Sequence, residues 1–235
     1  MIRRSLGQHY LVDPAVVEKM VSLARIRRGE RVLEIGTGKG VLTKELCRVA
    51  SRLEGYEVDR ENLEETAAVV GGKVRLHLAD AFQETPRFDV LVSSLPYSKS
   101  SSFIEWIARM RYDRAIVLLQ ADFVRKVSSP PGSRDYRAIS VIAQASTDIA
   151  VLDGVPRSAF SPQPRVDTVV VALEPRLRLS RLEIEGVKHL FALRRRTVAA
   201  ALSKLAASVK GDWGRRRVYS LTPEEALELA HMLKR

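Results

Sequence analysis

A glycine-rich segment follows a short apolar run near the start of the chain, in Val32–Gly40 (VLEIGTGKG). The apolar run predicts a buried strand, and Gly36, Gly38 and Gly40 predict a tight turn before a helix. Glycine lets the backbone approach a ligand closely and adopt angles that other residues avoid. The G-x-G-x-G spacing differs from the G-x-G-x-x-G of dinucleotide sites, which disfavours a pyrophosphate ligand and a dehydrogenase. Taken alone, such a motif is as often a plain turn.

Acidic residues accompany the first three predicted strands. Glu34 lies in the first strand, Glu57 ends the second and Asp80 follows the third. The carboxyl ends of neighbouring parallel strands meet at one edge of a sheet, and ligands bind there. A carboxylate such as Glu57 can accept hydrogen bonds from both hydroxyls of a ribose, and Asp80 can accept one from an adenine amine. The three strand ends therefore predict a cleft that binds an adenosine group.

The fourth predicted strand ends at the same edge in Ser94-Leu95-Pro96-Tyr97. Proline fixes the turn, and the aromatic ring after it can hold a flat base while a small polar residue accepts a hydrogen bond from the base's amine. A proline turn followed by a core tyrosine would give the same four residues. This motif alone favours that simpler interpretation.

These residues need a sheet and helices to position them. Between Arg31 and Leu173, short apolar runs alternate with amphipathic stretches, as in a parallel sheet covered by helices. The predicted strands are Arg31–Ile35, Arg52–Val58, Val74–Leu78, Val90–Ser93, Arg114–Leu119, Ser146–Val151 and Asp167–Leu173. The predicted helices are Asp13–Ala24, Val41–Val49, Arg60–Val69, Ser101–Arg111 and Arg137–Ala145. Seven strands with intervening helices predict a doubly wound α/β fold with a mostly parallel sheet.

The strand pattern stops after Pro175. Three further helices are predicted, at Leu182–Leu193, Thr197–Val209 and Thr222–Leu233. We therefore predict two domains, a ligand-binding domain at 1–175 and a small all-helical domain at 176–235.

Positive charge is concentrated in this second domain. It has 14 Lys and Arg against 6 Asp and Glu, so it carries +8 of the chain's net +11. Two arginine runs, Arg194-Arg195-Arg196 and Arg215-Arg216-Arg217, lie at or near the predicted helix ends. A basic surface of this kind favours a polyanionic partner such as nucleic acid, although a solubilising surface or an anionic membrane face would have a similar composition.

Length and composition exclude several other classes. A chain of 235 residues with 46% hydrophobic residues can bury an ordinary core, which excludes a disordered protein. A single cysteine, Cys47, excludes a disulfide framework and a multi-cysteine metal site. No apolar run is long enough for a membrane span or has the form of a signal peptide, so we expect a cytoplasmic protein with no membrane partner.

The motifs described above, and their order along the chain, resemble those of the ribosomal RNA adenine dimethyltransferases, the small-subunit dimethyladenosine transferases. The resemblance covers nearly the whole chain and includes the glycine-rich segment and the Ser94–Tyr97 segment, where the family has N-L-P-Y. The other similar segments are Ser5–Leu11, Glu57–Asp59, Gln120–Arg125, Gly132–Tyr136, Phe160–Asp167 and Phe191–Thr197.

This resemblance implies a class I, Rossmann-like methyltransferase that uses S-adenosylmethionine and no metal. The implied substrate is two adjacent adenines near the 3′ end of small-subunit rRNA, dimethylated on the exocyclic amine during ribosome biogenesis. We expect a monomer that binds the small ribosomal subunit through the two arginine runs. The residues implied at the methyl donor are Gln8, His9, Leu11, Gly36, Gly38, Glu57, Val58, Asp80, Ala81 and Ser94. The residues implied at the target base are Ser94, Leu95, Pro96, Tyr97 and Phe160, with Tyr97 and Phe160 on either side of the base.

Ser94 departs from the family pattern, because it stands where the family has asparagine. Its hydroxyl accepts a hydrogen bond from a shorter side chain than the asparagine amide does. Two alternatives therefore stay open: a ribosome-assembly factor with weak or no methylation, and, less favoured, a DNA adenine methyltransferase with a similar proline-aromatic motif.

Overall fold

The computed structural model describes residues 9–205 and 212–233. Most of its strands belong to one large sheet, and two very short ones form a separate pair. The strands are β1 (Tyr10–Leu11), β2 (Arg31–Ile35), β3 (Arg52–Glu57), β4 (Arg75–Leu78), β5 (Val90–Ser93), β6 (Arg114–Gln120), β7 (Thr147–Val155), β8 (Phe160–Ser161) and β9 (Thr168–Pro175).

The large sheet has seven strands in the order β4-β3-β2-β5-β6-β9-β7. Each neighbouring pair from β4 to β6 is parallel, and β9 runs antiparallel to β6. Strand β2 lies near the middle, where Val32 and Leu33 are each 1% exposed although they face opposite sides. Burial on both faces explains the continuous apolar run in its sequence. The predicted seven-stranded, mostly parallel α/β sheet is confirmed.

Helices follow most of the strands. They are α1 (Pro14–Ala24), α2 (Val41–Val49), α3 (Arg60–Val70), α4 (Ser100–Ile107), α5 (Ala121–Val127), α6 (Ala138–Ser146), α7 (Arg181–Ala192), α8 (Val198–Lys204) and α9 (Pro223–Met232). Asp13 caps α1 by accepting the N–H groups of Ala15 and Val16. Thr222 and Glu225 form a reciprocal capping box on α9. Both caps satisfy backbone donors that a helix start leaves unpaired.

Some elements differ from the prediction. Helix α5 was not predicted, and neither was the antiparallel pair of β1 and β8. The helix predicted at Thr197–Val209 is seen as α8, and its predicted end lies outside the described residues.

The chain divides into two compact units. The first contains the sheet and consists of the described residues up to 103, with 110–122 and 149–175. The second consists of 104–109, 123–148 and the described residues from 176 onwards, and it contains α6, α7, α8 and α9. The boundary predicted at residue 176 is one of several places where the chain passes between the units. The sequence showed a change of pattern only there.

The core on one side of the sheet positions the strand ends that form the site. Val32, Val90, Val92 and Ile116 project from the central strands and pack against α1 and α2 through residues such as Leu46. None of the helices in the described part of the chain is both long and apolar enough to cross a membrane.

Candidate active site

A cleft opens at the carboxyl ends of β2, β3, β4 and β5, in the first unit. It encloses about 930 Å³ of open space, including the part that faces solvent. Because these strands are parallel, their carboxyl ends meet at one edge of the sheet, as expected from the sequence. The predicted donor-site and base-site residues that line the cleft are His9, Leu11, Gly36, Gly38, Glu57, Val58, Asp80, Ala81, Ser94, Leu95 and Pro96. Gln8, also predicted there, lies outside the described residues.

The glycine-rich turn after β2 forms one wall of the cleft. Gly36, Gly38 and Gly40 all have positive φ angles, of 75°, 54° and 77°, which side chains with a Cβ rarely adopt. The N–H of Gly36 donates to the carbonyl oxygen of Tyr56 at 2.7 Å, which holds the turn against β3. A Cβ on Gly40 would lie 3.1 Å from the backbone of Thr66. The turn therefore needs glycine both for its angles and for its close packing.

Glu57 ends β3 and is 6% exposed. Its Oε2 accepts the N–H of Gly38 at 2.9 Å, and its Oε1 accepts those of Val58 and Asp59 at 2.8 and 3.0 Å. A carboxylate has about four acceptor positions, so at least one stays available to a ligand in the cleft. Glu57 thus fixes the glycine-rich turn and also presents an acceptor to the cleft.

Asp80 and Ala81 follow β4 and form the next part of the wall. Oδ1 of Asp80 accepts the N–H of Phe82 at 2.9 Å and begins a short 3-10 helix at Ala81–Gln83. The structure describes no partner for Oδ2. The N–H of Ala79 donates to the carbonyl oxygen of Glu57 at 3.0 Å, so the acids at the ends of the two strands are held side by side.

Two buried polar atoms among the cleft-lining residues have no hydrogen-bond partner in the described part of the chain. One is Oε2 of Glu34, a residue that is 1% exposed, and the other is Nδ2 of Asn62, which is 5% exposed. Burial, with a smaller effect of the Glu57 charge, raises the pKa of Glu34 to about 8, and Thr43 partly offsets the rise. Buried polar atoms are normally paired, so an unpaired acceptor and an unpaired donor suit a ligand that has both kinds of group.

Asn62 was not predicted as a site residue. It lies on α3 between Glu61 and Leu63, where a polar residue in a helix normally indicates a solvent-facing position. Asn62 also belongs to none of the motifs at the strand ends, so the sequence did not connect it with the site.

His9, Tyr10 and Leu11 form a second wall of the cleft. Strand β1 pairs with β8 so that Leu11 lies opposite Phe160. Nδ1–H of His9 donates to the carbonyl oxygen of Pro162 at 2.7 Å, and the hydroxyl of Tyr10 donates to Oδ1 of Asn62 at 3.3 Å. These bonds hold the segment at the cleft, and His9 and Leu11 stay predicted donor-site residues.

Two neighbouring serines at the end of β5 have different roles. The hydroxyl of Ser93 is fully buried and donates to the carbonyl oxygen of Ile35 at 2.5 Å, which joins β5 to β2. Ser94 lines the cleft, and its hydroxyl has no partner among the described residues. Ser94 is therefore the one of the two that is available to a substrate amine.

Tyr97 and Phe160 lie beside the cleft, with ring centroids 6.5 Å apart and ring planes inclined by 66°. Phe160 is 3% exposed, and the Tyr97 hydroxyl shares a hydrogen bond with Thr168. A base held between two rings needs them face to face, roughly 7 to 8 Å apart. The rings are neighbours, as their assignment to one base requires, but a base enters between them only if at least one ring turns.

The two arginine runs lie side by side in the second unit. The N–H groups of Val218 and Tyr219 donate to the carbonyl oxygens of Arg196 and Arg194, at 3.0 and 3.1 Å. Arg194, Arg195 and Arg196 line a shallow groove that also includes Arg137. Partial burial, together with the charges of Arg137 and Arg195, lowers the pKa of Arg194.

Arg216 and Arg217 have partners within the protein. Arg216 donates to both carboxylate oxygens of Glu225, at 2.6 and 2.8 Å, and to the carbonyl oxygen of Ser220. Arg217 donates to the carbonyl oxygen of Arg195. A bidentate pair fixes a guanidinium in place. We therefore expect Arg216 to contribute less to RNA binding than Arg215 and Arg217, and all three stay predicted RNA contacts.

No group of three or more His, Cys, Asp or Glu side chains lies close enough to hold a metal ion within residues 9–205 and 212–233.

The sheet order and the cleft at the strand ends define a Rossmann-like methyltransferase fold, and solved structures agree. A dimethyladenosine transferase from Plasmodium falciparum superposes with a TM-score of 0.76 at 22% identity, covering 94% of this chain and 96% of its own. The 23S rRNA methyltransferase ErmE superposes with a TM-score of 0.66 at 22% identity, covering 96% of this chain and all of its own.

The sequence comparisons define the family. The profile for ribosomal RNA adenine dimethylases matches residues 1–233. A protein of Thermococcus gammatolerans named "Probable ribosomal RNA small subunit methyltransferase A" is 35% identical, over 98% of this chain and 89% of the relative. The chain belongs to the ribosomal RNA adenine dimethylase family, a family of rRNA methyltransferases.

Proposed function

We propose that this chain dimethylates the exocyclic amine of two adjacent adenines near the 3′ end of small-subunit rRNA, as a step in ribosome biogenesis. The observation that carries the proposal is the full-length family match together with a cleft in which nearly all of the implied site residues meet. ErmE has the same fold and is named for 23S rRNA, so the fold does not select the subunit. The small subunit is favoured by the 35% identical relative, which is named for it.

The cleft fits S-adenosylmethionine, which supplies an electrophilic methyl group when bound. Glu57 has an acceptor available for the ribose hydroxyls, and Oδ2 of Asp80 is available for the adenine amine. The unpaired carboxyl oxygen of Glu34 and the unpaired amide N–H of Asn62 are available to the amino-acid part of the molecule, which carries both an ammonium and a carboxylate. The apolar side chains of Leu11, Ile35, Val58, Ala81 and Leu95 cover the rest of the wall.

The protein's task is to position the target amine, because the amine of adenine is a poor nucleophile. Its lone pair is conjugated with the ring, and hydrogen-bond acceptors around the nitrogen favour the pyramidal form that can attack. The Ser94 hydroxyl is available as such an acceptor. Tyr97 and Phe160 hold the base after one ring turns, and partial burial raises the pKa of Tyr97, so its phenol stays neutral.

The groove at Arg194–Arg196 binds RNA backbone in this proposal. Arginine binds phosphate well because its planar guanidinium presents two parallel donors. The contact contributes affinity and orientation, and it carries no base specificity.

Because Ser94 stands where the family has asparagine, a second candidate function is a ribosome-assembly factor with little methylation. Methyl transfer from labelled S-adenosylmethionine to undermethylated small subunits separates the two, with wild type, Ser94→Ala and Ser94→Asn compared in single turnovers. We expect wild-type turnover, a roughly 3- to 10-fold slower Ser94→Ala enzyme, and a Ser94→Asn enzyme as fast as wild type or faster. Donor affinity should be nearly equal in all three.

Two results would change this assignment. Equal rates for serine and alanine would remove the hydroxyl from the mechanism. A wild type without turnover that asparagine rescues would identify an assembly factor.

A further inference from the structure

A second groove lies at the opposite edge of the sheet from the active-site cleft, at the amino ends of β2, β3, β4 and β5. Five cationic residues line it: Arg31, Arg52, Lys73, Arg75 and Arg87. We call these five residues the basic groove. All of them belong to the first unit.

Acidic side chains balance only part of this charge. Asp89 pairs with Arg31, through Arg31 Nη2 and Asp89 Oδ1 at 2.5 Å, and Glu54 pairs loosely with Arg75 at 3.8 Å. Arg52, Lys73 and Arg87 are exposed, and none has an ion-pair partner in the described part of the chain. The charge of Arg52 acts on Asp89 without a direct ion pair, so the basic groove has three cations that no acid pairs with directly.

The loop before β2 adds more positive charge at the same edge. It carries Arg25, Arg27 and Arg28, all exposed. The N–H of Gly29 donates to Oγ of Ser51, a residue in the groove wall, at 3.3 Å. The active-site edge has the opposite character, because its strand ends carry acids. The sheet therefore has cations at the amino ends of its strands and acids at their carboxyl ends.

We propose that the basic groove binds the phosphate backbone of the RNA substrate at a point away from the methylated adenines. This inference rests on the proposed function. A concave row of unpaired cations is the form that binds a nucleic-acid backbone. An anionic membrane is less favoured, because membrane-binding faces add exposed apolar side chains, whereas Leu53 and Phe88 in this groove are 5% and 3% exposed.

The position of the basic groove restricts which RNA can use it. Strand β2 separates groove from cleft and has five residues, so the two lie roughly 15 Å or more apart at about 3.3 Å per residue. They also face opposite edges of the sheet. Because cleft and groove open in opposite directions, an RNA must pass around the unit to contact both, which a large folded RNA can do and a short RNA in the cleft cannot. The groove would therefore favour the assembled small subunit over a small fragment of its RNA.

The test compares Arg52→Gln/Lys73→Gln/Arg87→Gln with a matched control, Lys19→Gln/Lys44→Gln/Arg48→Gln. The control removes the same charge from exposed positions of the same unit outside both the groove and the cleft. Binding to small ribosomal subunits is measured over a range of KCl concentrations, and binding to a short RNA hairpin with two adjacent adenines is measured beside it. Steady-state methylation of the subunits gives KM and kcat.

We expect the groove variant to flatten the salt dependence of subunit binding by about 2 to 3 in log–log slope, at about 0.7 to 0.9 for each phosphate that the variant no longer neutralises. Its KM for subunits should rise while kcat and hairpin binding match the control. A groove variant with the control's slope and KM would overturn the inference. So would equal weakening of hairpin and subunit binding, which would indicate a general effect of net charge.

Thermal unfolding and donor binding confirm that each variant is folded, and a single Arg87→Glu reversal provides a second variant with the same expected direction. Failure of the proposed function would look different. In that case the wild type itself would neither methylate small subunits nor bind them, whatever the groove variant does.

Discussion

At the scale of single residues, Glu57 links two parts of the cleft wall. Its carboxylate accepts three backbone N–H groups and so fixes both the glycine-rich turn and the start of α3. In the proposed complex with the methyl donor, this acceptor is already in place before binding, which lowers the entropic cost of binding.

Glu57→Ala should therefore weaken binding of S-adenosylmethionine by about 10- to 150-fold, from the loss of a charge-assisted hydrogen bond worth roughly 1.5 to 3 kcal/mol. Isothermal titration calorimetry measures the change. Glu64→Ala, on the exposed face of α3, is the control and should keep wild-type affinity. An unchanged affinity in a folded Glu57→Ala protein would contradict the site assignment.

Glu34 makes stability depend on pH. Its pKa is about 8 in the folded protein, above its ordinary value of 4.5, chiefly because the side chain is buried. The folded state therefore binds more protons than the unfolded state between these values, and stability falls as the pH rises through that window. Below pH 4.5 both states are protonated, and the effect is absent.

Glu34→Gln should remove this penalty. The variant should gain free energy of unfolding relative to wild type by up to about 1.4 kcal/mol for each pH unit above 4.5, with no further gain beyond pH 8. Urea unfolding of both proteins between pH 5 and 8.5 measures the difference. Curves that stay parallel over this range would show that Glu34 is ionised in the folded state.

At the scale of elements, strand β3 packs against the glycine-rich turn. A Cβ on Gly55 would lie 2.7 Å from Cγ2 of Thr37, in the turn, and 3.0 Å from a methyl group of Leu76. The strand can have no side chain at this position while the turn keeps its place.

Gly55→Ala should push Thr37 outward, weaken donor binding several-fold and lower the free energy of unfolding by about 1 to 3 kcal/mol. Gly154→Ala is a matched control, because Gly154 also lies in a strand and a Cβ there meets nothing within 4 Å. Calorimetric titration and thermal unfolding should separate the two variants. If both bind the donor equally well, the turn does not depend on the close packing at Gly55.

The elements that the sequence predicted are those with a local signal. For strand β2 the signal is its continuous apolar run. For α1 it is the N-cap residue Asp13 and the proline that follows it. Helix α5 follows β6 without an intervening residue, so no turn or cap marks its start. Strands β1 and β8 have two residues each and pair across most of the chain, which is too short for any periodicity to show.

The same distinction holds for the site residues. Glu57 and Asp80 were predictable because each lies at the carboxyl end of a recognisable strand. Asn62 was not, since a polar residue in a charged helix looks solvent-facing. The bidentate pairing of Arg216 with Glu225 was not predictable either, because it depends on how the last helix folds back.

At the scale of the whole molecule, the net charge of +11 is not spread evenly. The second unit has Arg137 and Arg194–Arg196 around one groove, and the first unit has the basic groove at the amino ends of its strands. Glu57 and Asp80 place two carboxylates at the active-site edge. These carboxylates would attract a cationic methyl donor and repel phosphate, while the two basic surfaces would attract the RNA of the proposed function.

Arg194→Glu/Arg195→Glu/Arg196→Glu should weaken binding to small subunits and flatten its salt dependence by about 0.7 to 0.9 in log–log slope for each phosphate left without its arginine. Arg216→Gln should leave that slope nearly unchanged and lower thermal stability instead, because its guanidinium is held by Glu225. Binding of S-adenosylmethionine should be the same in both variants, since the cleft lies in the other unit. Filter binding over a KCl series and thermal unfolding distinguish the two effects. An equally flattened slope in both variants would show that Arg216 leaves Glu225 to bind RNA, and an unchanged slope in both would assign the arginine groove another purpose.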